Sequence, residues 1–195
     1  MQKYITEGFA EKIEKKEELE EEKQWFLPHH GVYKKSAEKK KIRIVFDASA
    51  QFEGKSLNGA LLNGPKLQTE LPGILLKFRQ KPFAIGADIE AMFSRIRLTQ
   101  ADAKYHRFLM TDKNTGEIVV YQMNRLTFGD EASPFIAIHT LRKTAEDYGE
   151  EKTRAIKAIR QNFYMDDYFD SFDSAKEAIE VGNDIVAIEV TLKLT

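Results

Sequence analysis

Two adjacent acids, Asp166 and Asp167, lie in an unusually hydrophobic stretch at residues 162–169, NFYMDDYF. Aromatic residues favour strands, whereas Asp and Asn favour turns, so the pattern predicts two short strands with the acids at or near their tight connection. Two carboxylates at a sheet rim would repel each other, and a hard divalent cation such as Mg²⁺ or Mn²⁺ would remove that repulsion. A solvated acidic turn is the alternative for such a pair taken alone.

A third acid, Asp88, interrupts the nearly apolar run at residues 83–89, FAIGADI. The run is typical of a buried central strand, where a carboxylate is costly unless it is paired, protonated or bound to metal. If the strand geometry continues, Glu90 shares a face with Asp88. A helix cap formed by Asp88 is the alternative.

A cluster of cations surrounds the start of a strand-like run at residues 42–46. The cluster consists of Lys34, Lys35, Lys39, Lys40, Lys41 and Arg43. Residues 32–33 are the predicted hairpin partner, which would place the lysines around the turn and present them to a phosphate-bearing ligand. A soluble charged turn is the alternative.

The elements that must position these residues are predicted from periodicity, turn residues and helix caps. They are a loop at 54–65, a helix at 66–80, a hairpin of residues 105–110 and 118–123, a helix from Ser133 to Gly149, helical turns at 152–161, a Ser174-capped helix to about residue 188, and a strand from Thr191.

The composition of the 195-residue chain narrows the class of protein. It has no Cys, which excludes disulfide frameworks and Cys-based zinc sites and fits a reducing compartment. No signal peptide core and no run of roughly 20 apolar residues is present. Residues 25–110 carry 15 basic and 7 acidic residues, which favours a polyanionic partner. Residues 1–24 are mostly charged and predict a helical or disordered lead-in.

Taken together, these stretches resemble the reverse transcriptase domain of BEL/Pao long-terminal-repeat retrotransposons over residues 25–190. The motif with the highest specificity is Tyr164-Met165-Asp166-Asp167. The others, in the family's order, are WFLPHH at 25–30, IRIVFDAS at 42–49, SLN at 56–58, GP at 64–65, ADIEAMF at 87–93, and FG through SPF at 128–135.

The resemblance implies an α+β fold, the fingers and palm of a right-hand polymerase, with an antiparallel palm sheet packed on helices and the thumb absent. The expected fingers comprise residues 25–56 and 97–132, and the expected palm comprises residues 57–96 and 133–195. The palm sheet is expected to bring Asp88 beside Asp166 and Asp167.

The resemblance also implies the chemistry, which is RNA-directed transfer of nucleotides from deoxynucleoside triphosphates to a primer 3′-hydroxyl. Asp88 and Asp166 would bridge two Mg²⁺ (or Mn²⁺) ions about 4 Å apart, with Asp167 completing the charge cluster. The backbone carbonyl of Ile89 would be a further metal ligand. The expected substrate-binding residues are Arg43 with Lys34 or Lys35 for the triphosphate, Phe93 as a steric gate against ribonucleotides, and Phe128, Gly129, Tyr164 and Met165 around the nucleotide.

The sequence ends at Thr195, where the family continues into a primer-gripping hairpin, a thumb and usually an RNase H. We therefore expect a truncated, intracellular retrotransposon polyprotein fragment whose partners are a primed RNA or DNA template and deoxynucleoside triphosphates, with no membrane. Two alternatives are an inactive nucleic-acid-binding remnant or co-opted domain, and a metal-dependent nuclease that uses the same acids.

Overall fold

The computed structural model describes residues 1–14, 23–34, 41–112, 115–149 and 151–191, which form short helices and antiparallel sheets. The strands are β1 (Ala10–Lys12), β2 (His29–Lys34), β3 (Lys41–Phe46), β4 (Phe83–Asp88), β5 (Arg107–Thr111), β6 (Ile118–Met123), β7 (Phe163–Tyr164) and β8 (Asp167–Phe172). The helices are α1 (Gln2–Thr6), α2 (Leu57–Ala60), α3 (Leu71–Phe78), α4 (Met92–Arg95), α5 (Gln100–Ala103), α6 (Ser133–Tyr148), α7 (Thr153–Gln161) and α8 (Ala175–Thr191), with a 3-10 turn at Lys104–His106. None of these helices combines the length and apolarity needed to cross a bilayer.

The chain forms two compact units, each built from two segments. The first unit comprises Met1–Asn63 with Arg97–Ser133, and the second comprises Gly64–Ile96 with Pro134–Thr195. The predicted boundaries between fingers and palm follow residues 56, 96 and 132. The assignment of these units to fingers and palm stays a prediction.

The first unit contains an antiparallel sheet in the order β1-β6-β5 and a β2-β3 hairpin. The predicted pairing of residues 32–33 with the next strand is confirmed, because Val32 lies opposite Arg43. The predicted hairpin of β5 and β6 is also confirmed. Phe46 and Phe108 are fully buried and meet edge to face at 5.3 Å between ring centroids. The predicted turn lysines Lys35, Lys39 and Lys40 lie outside the described residues.

The prediction of a helical or disordered lead-in was wrong for part of the N-terminal segment. Ala10 pairs with Met123, so residues of the lead-in add a strand to the β5–β6 hairpin. Ile13 is buried, and its backbone N–H donates to the carbonyl of Val120 at 3.0 Å. Residues 15–22 of the predicted helical or disordered lead-in lie outside the described residues.

The second unit is built on a sheet in the order β4-β8-β7. The β7–β8 hairpin, the start of α6 at Ser133 and the α7 helix confirm their predictions. The Ser174 cap is also confirmed, since its Oγ accepts from the N–H of Glu177 at 3.1 Å. The predicted strand from Thr191 was wrong at that residue, which ends α8, and residues 192–194 lie outside the described part. The predicted helix at 66–80 begins only at Leu71, with Pro72 in its first turn.

The prediction that residues 83–89 form a buried central strand was wrong. Among the described residues β4 pairs with β8 alone, so it is an edge strand, and its residues are exposed except for the half-buried Ile85. Ile85 faces α8, where a Cβ added to Gly182 would lie 3.6 Å from its Cδ1 atom. The low polarity of this run therefore does not reflect burial of the strand, since even the large ring of Phe83 is exposed. Asp88 is exposed and therefore carries no large desolvation penalty.

An ion pair between the half-buried Arg154 and the buried Asp170 ties α7 to the central strand of this sheet. The Arg154 guanidinium donates to Asp170 Oδ2 at 2.7 Å, and the Tyr168 hydroxyl donates to the same oxygen at 3.1 Å. Asp170 Oδ1 accepts from the N–H of Ser171 at 2.9 Å, so both carboxylate oxygens have partners. Asp170 is only 4% exposed, and its charge would be unmatched without the arginine.

Replacing Arg154 by Met is expected to lower the free energy of unfolding by about 3 kcal/mol, because it leaves the Asp170 carboxylate buried without its counter-charge. Urea denaturation followed by circular dichroism measures the change. The matched control is Arg160→Met, since Arg160 pairs with Glu146 at the surface and surface pairs contribute little. Equal losses in the two variants would contradict the role given to the Arg154–Asp170 pair.

Candidate active site

The second unit brings the three predicted acids together at one end of its sheet. Asp88, the last residue of β4, lies directly opposite Asp167, the first residue of β8. Asp166 occupies the turn before β8, and its carbonyl accepts from the N–H of Ile89 at 2.9 Å. The strand register and this hydrogen bond therefore place one carboxylate from β4 beside two from the β7–β8 turn.

The turn itself is tight and strained. Tyr164 pairs with Asp167, which leaves only Met165 and Asp166 to reverse the chain. Met165 has φ +57°, in the left-handed region that residues other than Gly rarely adopt. Such a conformation costs on the order of 1 kcal/mol and persists only where the surrounding structure fixes it. Here the pairing of β8 with both neighbouring strands fixes it.

The electrostatics of the three acids favour a cation. Partial burial, followed by the negative charges of Asp166 and Asp88, raises the pKa of the Asp167 carboxyl. No group of three His, Asp or Glu side chains within the described ranges is arranged to hold a metal ion. This does not conflict with magnesium, which usually binds one or two carboxylates and completes its shell with water and substrate phosphates. The oxygen ligands and uncompensated charge present here fit that pattern.

The charges of Arg95 and Asp88 both act on Glu189, and the sequence predicted no role for Glu189 or Arg95. Glu189 lies on α8, and burial together with the charge of Asp88 raises its pKa, while the charge of Arg95 lowers it. The Arg95 Nε–H donates to the carbonyl of Glu90 at 2.7 Å, which holds the segment after β4. Only a weak signal in the sequence indicated Glu189. This residue directly follows Ile188, a buried residue in the helical apolar pattern of α8.

The segment that follows Asp88 turns sharply into α4. Ala91 has φ +54° and precedes the first helical residue, Met92, which is buried. Phe93 is half-buried in the same short helix. The strand ends at Asp88, so Glu90 does not continue it, and the helix-cap alternative for Asp88 was wrong because Ala91 is the N-cap.

The first unit brings three of the predicted nucleotide-side residues together. The Arg43 guanidinium lies over the Phe128 ring, 5.1 Å from its centroid. The N–H of Phe46 donates to the carbonyl of Phe128 at 3.3 Å. Gly129 has φ +124°, and a Cβ built on it would lie 1.9 Å from the carbonyl oxygen of Phe46. The strand that carries Arg43 is therefore in direct backbone contact with the loop that carries Phe128 and Gly129.

Of the lysines predicted to bind phosphate, Lys34 ends β2 with its backbone opposite Lys41. Lys35 lies outside the described residues.

Asn58 holds the Phe128–Gly129 loop from the other side, and no role was predicted for it. Its side-chain amide donates to the Gly129 carbonyl at 3.2 Å and to Ser49 Oγ at 2.9 Å. Its Oδ1 atom accepts from the N–H of Glu131 at 3.0 Å. The preceding Ser56, which caps α2, positions Asn58 on that short helix. Only the match to the SLN motif singled out this residue.

Carboxylates that meet at one end of a sheet in this way fit the metal sites of enzymes that act on phosphoryl groups, polymerases and nucleases among them. Residues 32–194 match the family model for reverse transcriptase (RNA-dependent DNA polymerase), and the chain belongs to that family. This confirms the expected reverse transcriptase family, while the BEL/Pao subtype stays a prediction. No match was found among curated protein sequences.

The fold is similar to that of a solved foamy viral protease-reverse transcriptase in complex with double-stranded DNA. The TM-score is 0.70 at 16% sequence identity, so the likeness is one of fold. The match covers 97% of this chain and 29% of the foamy viral chain. It confirms the expected α+β fold with antiparallel sheets.

Proposed function

We propose that this chain catalyses RNA-directed DNA synthesis by transferring nucleotides from deoxynucleoside triphosphates to a primer 3′-hydroxyl. The observation that carries the proposal is the register of Asp88 opposite Asp167, with Asp166 in the adjoining turn, in a chain of the reverse transcriptase family. Hydrolysis of nucleic acid by the same acids is the less favoured function, because the charged groups that act on the Asp167 carboxyl are Asp166 and Asp88, and no His is among them.

In this proposal Asp88, Asp166 and the carbonyl of Ile89 hold divalent metal ions. Bound Mg²⁺ or Mn²⁺ would supply activation of the primer hydroxyl and neutralisation of the charge that develops on the pyrophosphate. The hydrogen bond from Ile89 N–H to Asp166 fixes the peptide groups of both ligand segments relative to each other. Asp167 adds negative charge beside Asp166 and completes the cluster.

For the first unit we propose that Arg43 binds the triphosphate together with Lys34 or Lys35. The ring of Phe128 supports this role, because a guanidinium stacked on an aromatic face keeps a fixed orientation for bidentate phosphate binding. Gly129 would allow the backbone to approach the nucleotide closely. Tyr164 and Met165, which lead into the acidic pair, are proposed to contact the substrate beside it.

Phe93 is proposed to exclude ribonucleotides by crowding the 2′-hydroxyl. Replacing Phe93 by Val should raise ribonucleotide incorporation relative to deoxynucleotide by at least about tenfold, since a smaller side chain leaves room for the extra oxygen. Single-nucleotide extension with each substrate measures the ratio. Phe83→Val, which shortens an exposed ring of β4, is the control and should leave the ratio unchanged. A Phe93→Val enzyme with unaltered discrimination would refute the gate.

The finer classification proposed is a BEL/Pao-type long-terminal-repeat retrotransposon enzyme acting in an intracellular particle. The motifs at residues 25–30, 42–49 and 56–58 support this subtype. A primed RNA or DNA template is the proposed partner, and the foamy viral neighbour was solved with double-stranded DNA. Because this chain spans 29% of that neighbour, we propose that thumb and RNase H segments of a polyprotein complete the enzyme.

Primer extension on an RNA template tests the proposal. The purified chain, a labelled DNA primer and all four deoxynucleotides are incubated with Mg²⁺, Mn²⁺ or a chelator, and we expect extended products with either metal and none with the chelator. Salt-dependent binding to the same hybrid without extension would contradict catalysis and support a nucleic-acid-binding remnant instead. That second reading is favoured by the excess of basic residues at 25–110.

A further inference from the structure

Two arginines of the first unit face each other across a short antiparallel bridge. Arg97 pairs with Arg125, and the neighbouring N–H of Leu98 donates to the carbonyl of Asn124 at 3.0 Å, which fixes the register. Side chains at directly opposed positions lie on one face of the pair, with Cβ atoms about 5 Å apart. The bridge therefore places both arginine side chains on the same face of the pair.

This pair of positive charges has no counter-charge in the described part of the chain. Neither arginine belongs to any of its ion pairs. Burial and the positive charge of Arg97 both lower the pKa of Arg125. Like charges placed directly opposite destabilise a strand pair. The protein thus maintains an arrangement that an anion would stabilise.

Arg125 also has hydrogen-bonding capacity that the described residues leave unused. Its Nε atom is buried and lacks a hydrogen-bond partner. Phe9 lies beneath the guanidinium, with its ring centroid 6.0 Å from Cζ, and the N–H of Asn124 donates to the Phe9 carbonyl at 2.8 Å. A guanidinium supported on an aromatic face presents its N–H groups in the plane of the fork, which is the geometry that binds phosphate oxygens.

The buried Arg107 and the half-buried Arg142 show what a purely structural arginine looks like in this chain. Arg107 donates from Nε to Gln122 Oε1 at 3.1 Å and from a terminal nitrogen to Gln24. Arg142 has an unpartnered Nε like Arg125, but its terminal nitrogen donates to the carbonyls of Leu67 and Arg160 at 2.8 and 3.2 Å. No such backbone or side-chain acceptor is found for Arg125 in the described structure.

We propose that Arg97 and Arg125, supported by Phe9, form a phosphate-binding site in the first unit. The ligand is a phosphate group, and its source is either the phosphodiester backbone of a nucleic acid or a free nucleotide. The site is separate from the three acids and does not depend on the proposed catalysis. With this site the chain has a second place that binds phosphate groups, in addition to the proposed triphosphate site at Arg43.

Equilibrium binding without divalent metal tests the site. Fluorescence anisotropy of a labelled single-stranded RNA oligomer is recorded from low to moderate NaCl with the wild type, Arg97→Gln, Arg125→Gln and the double variant. Losing a phosphate contact should reduce the slope of log affinity against log salt by about 0.7, and each single variant should bind several-fold more weakly. Arg125→Lys retains the charge but lacks the fork, so it should recover the salt slope and only part of the affinity.

Lys3→Gln is the control for loss of one charge, because Lys3 is exposed in the same unit and already paired with Glu7. A second arm of the experiment measures the shift in melting temperature on adding ATP or inorganic phosphate. If the bound phosphate comes from a free nucleotide or phosphate ion, these ligands should stabilise the wild type and not the double variant. Weaker RNA binding with an unchanged ATP response identifies the phosphodiester backbone instead. The proposal is overturned if the double variant matches Lys3→Gln in RNA binding and matches the wild type in its ATP and phosphate responses.

The readouts also separate this site from the catalytic proposal. Binding is measured without metal or primer extension, so a chain that extends no primer still gives an answer. Arg97 is exposed, so Arg97→Gln is expected to fold even if Arg125→Gln does not.

Discussion

Replacing Asp166 by Asn is expected to reduce primer extension at least a thousandfold, roughly 4 kcal/mol of transition-state stabilisation, without loss of the fold. The amide keeps the size of the side chain but cannot supply a charged oxygen ligand to a metal ion. The backbone carbonyl of Asp166 that accepts from Ile89 is retained, so the turn should persist. Because Asp166 and Asp167 repel each other, the variant should be at least as stable as the wild type. Single-turnover extension and urea denaturation measure the two effects.

Asp173→Asn is the matched control for this experiment. Asp173 is an exposed acid just beyond β8, in the same unit, and it pairs with Lys81. Its loss should leave extension near the wild-type rate. If Asp166→Asn and Asp173→Asn extend primers equally well, the catalytic assignment of the acidic hairpin is wrong. If Asp166→Asn unfolds, its loss of activity says nothing about metal binding, and Asp88→Asn on the neighbouring strand replaces it.

Replacing Gly129 by Ala is expected to lower the free energy of unfolding by about 3 kcal/mol or more. The new Cβ would lie 1.9 Å from the Phe46 carbonyl oxygen, a backbone atom that cannot rotate away. The residue also has φ +124°, a conformation that alanine rarely adopts. The clash can be relieved only if the loop that carries Gly129 moves away from β3. This movement would also displace the Phe128 ring from the Arg43 guanidinium. Urea denaturation measures the loss, and complete failure to fold would be the extreme of the same effect.

Gly54→Ala separates the steric clash from the backbone strain. Gly54 has φ +74°, but an added Cβ would meet no atom within 4 Å. Its substitution should therefore cost only the left-handed strain, about 1 kcal/mol. If Gly54→Ala and Gly129→Ala lose similar amounts of unfolding free energy, the close approach of the Phe46 backbone is not what restricts residue 129 to glycine.

The elements predicted correctly are those with local signals. The Ser133-Pro134 pair marks a helix start because Pro134 has a fixed φ that suits the first turn, and the acidic turn between aromatic residues marks the β7–β8 hairpin. Strand β4 was misjudged because its apolar run has the same composition whether its neighbours cover it or not. Only the pairing within the sheet decides that question, and pairing depends on residues far along the chain.

The same distinction applies to the candidate site. The residue types at Asp88, Asp166 and Asp167 were identifiable from their hydrophobic surroundings. The roles of Glu189 and Asn58 were missed because both depend on neighbours distant in sequence, Asp88 for Glu189 and the Gly129 loop for Asn58. The SLN motif singled out Asn58 without indicating these hydrogen bonds, and the periodicity of α8 gave only a weak signal for Glu189.

The segments of the two units alternate along the sequence, and this order determines when their strands can pair during translation. Ala10 finds its strand partner only when Met123 has been synthesised, and Asp88 waits for Asp167. Pairings between such distant segments form slowly, because the loop between them must close first. During translation the apolar β4 segment therefore leaves the ribosome well before β8 exists to cover its edge. We expect this segment to be the one that molecular chaperones bind in the nascent chain.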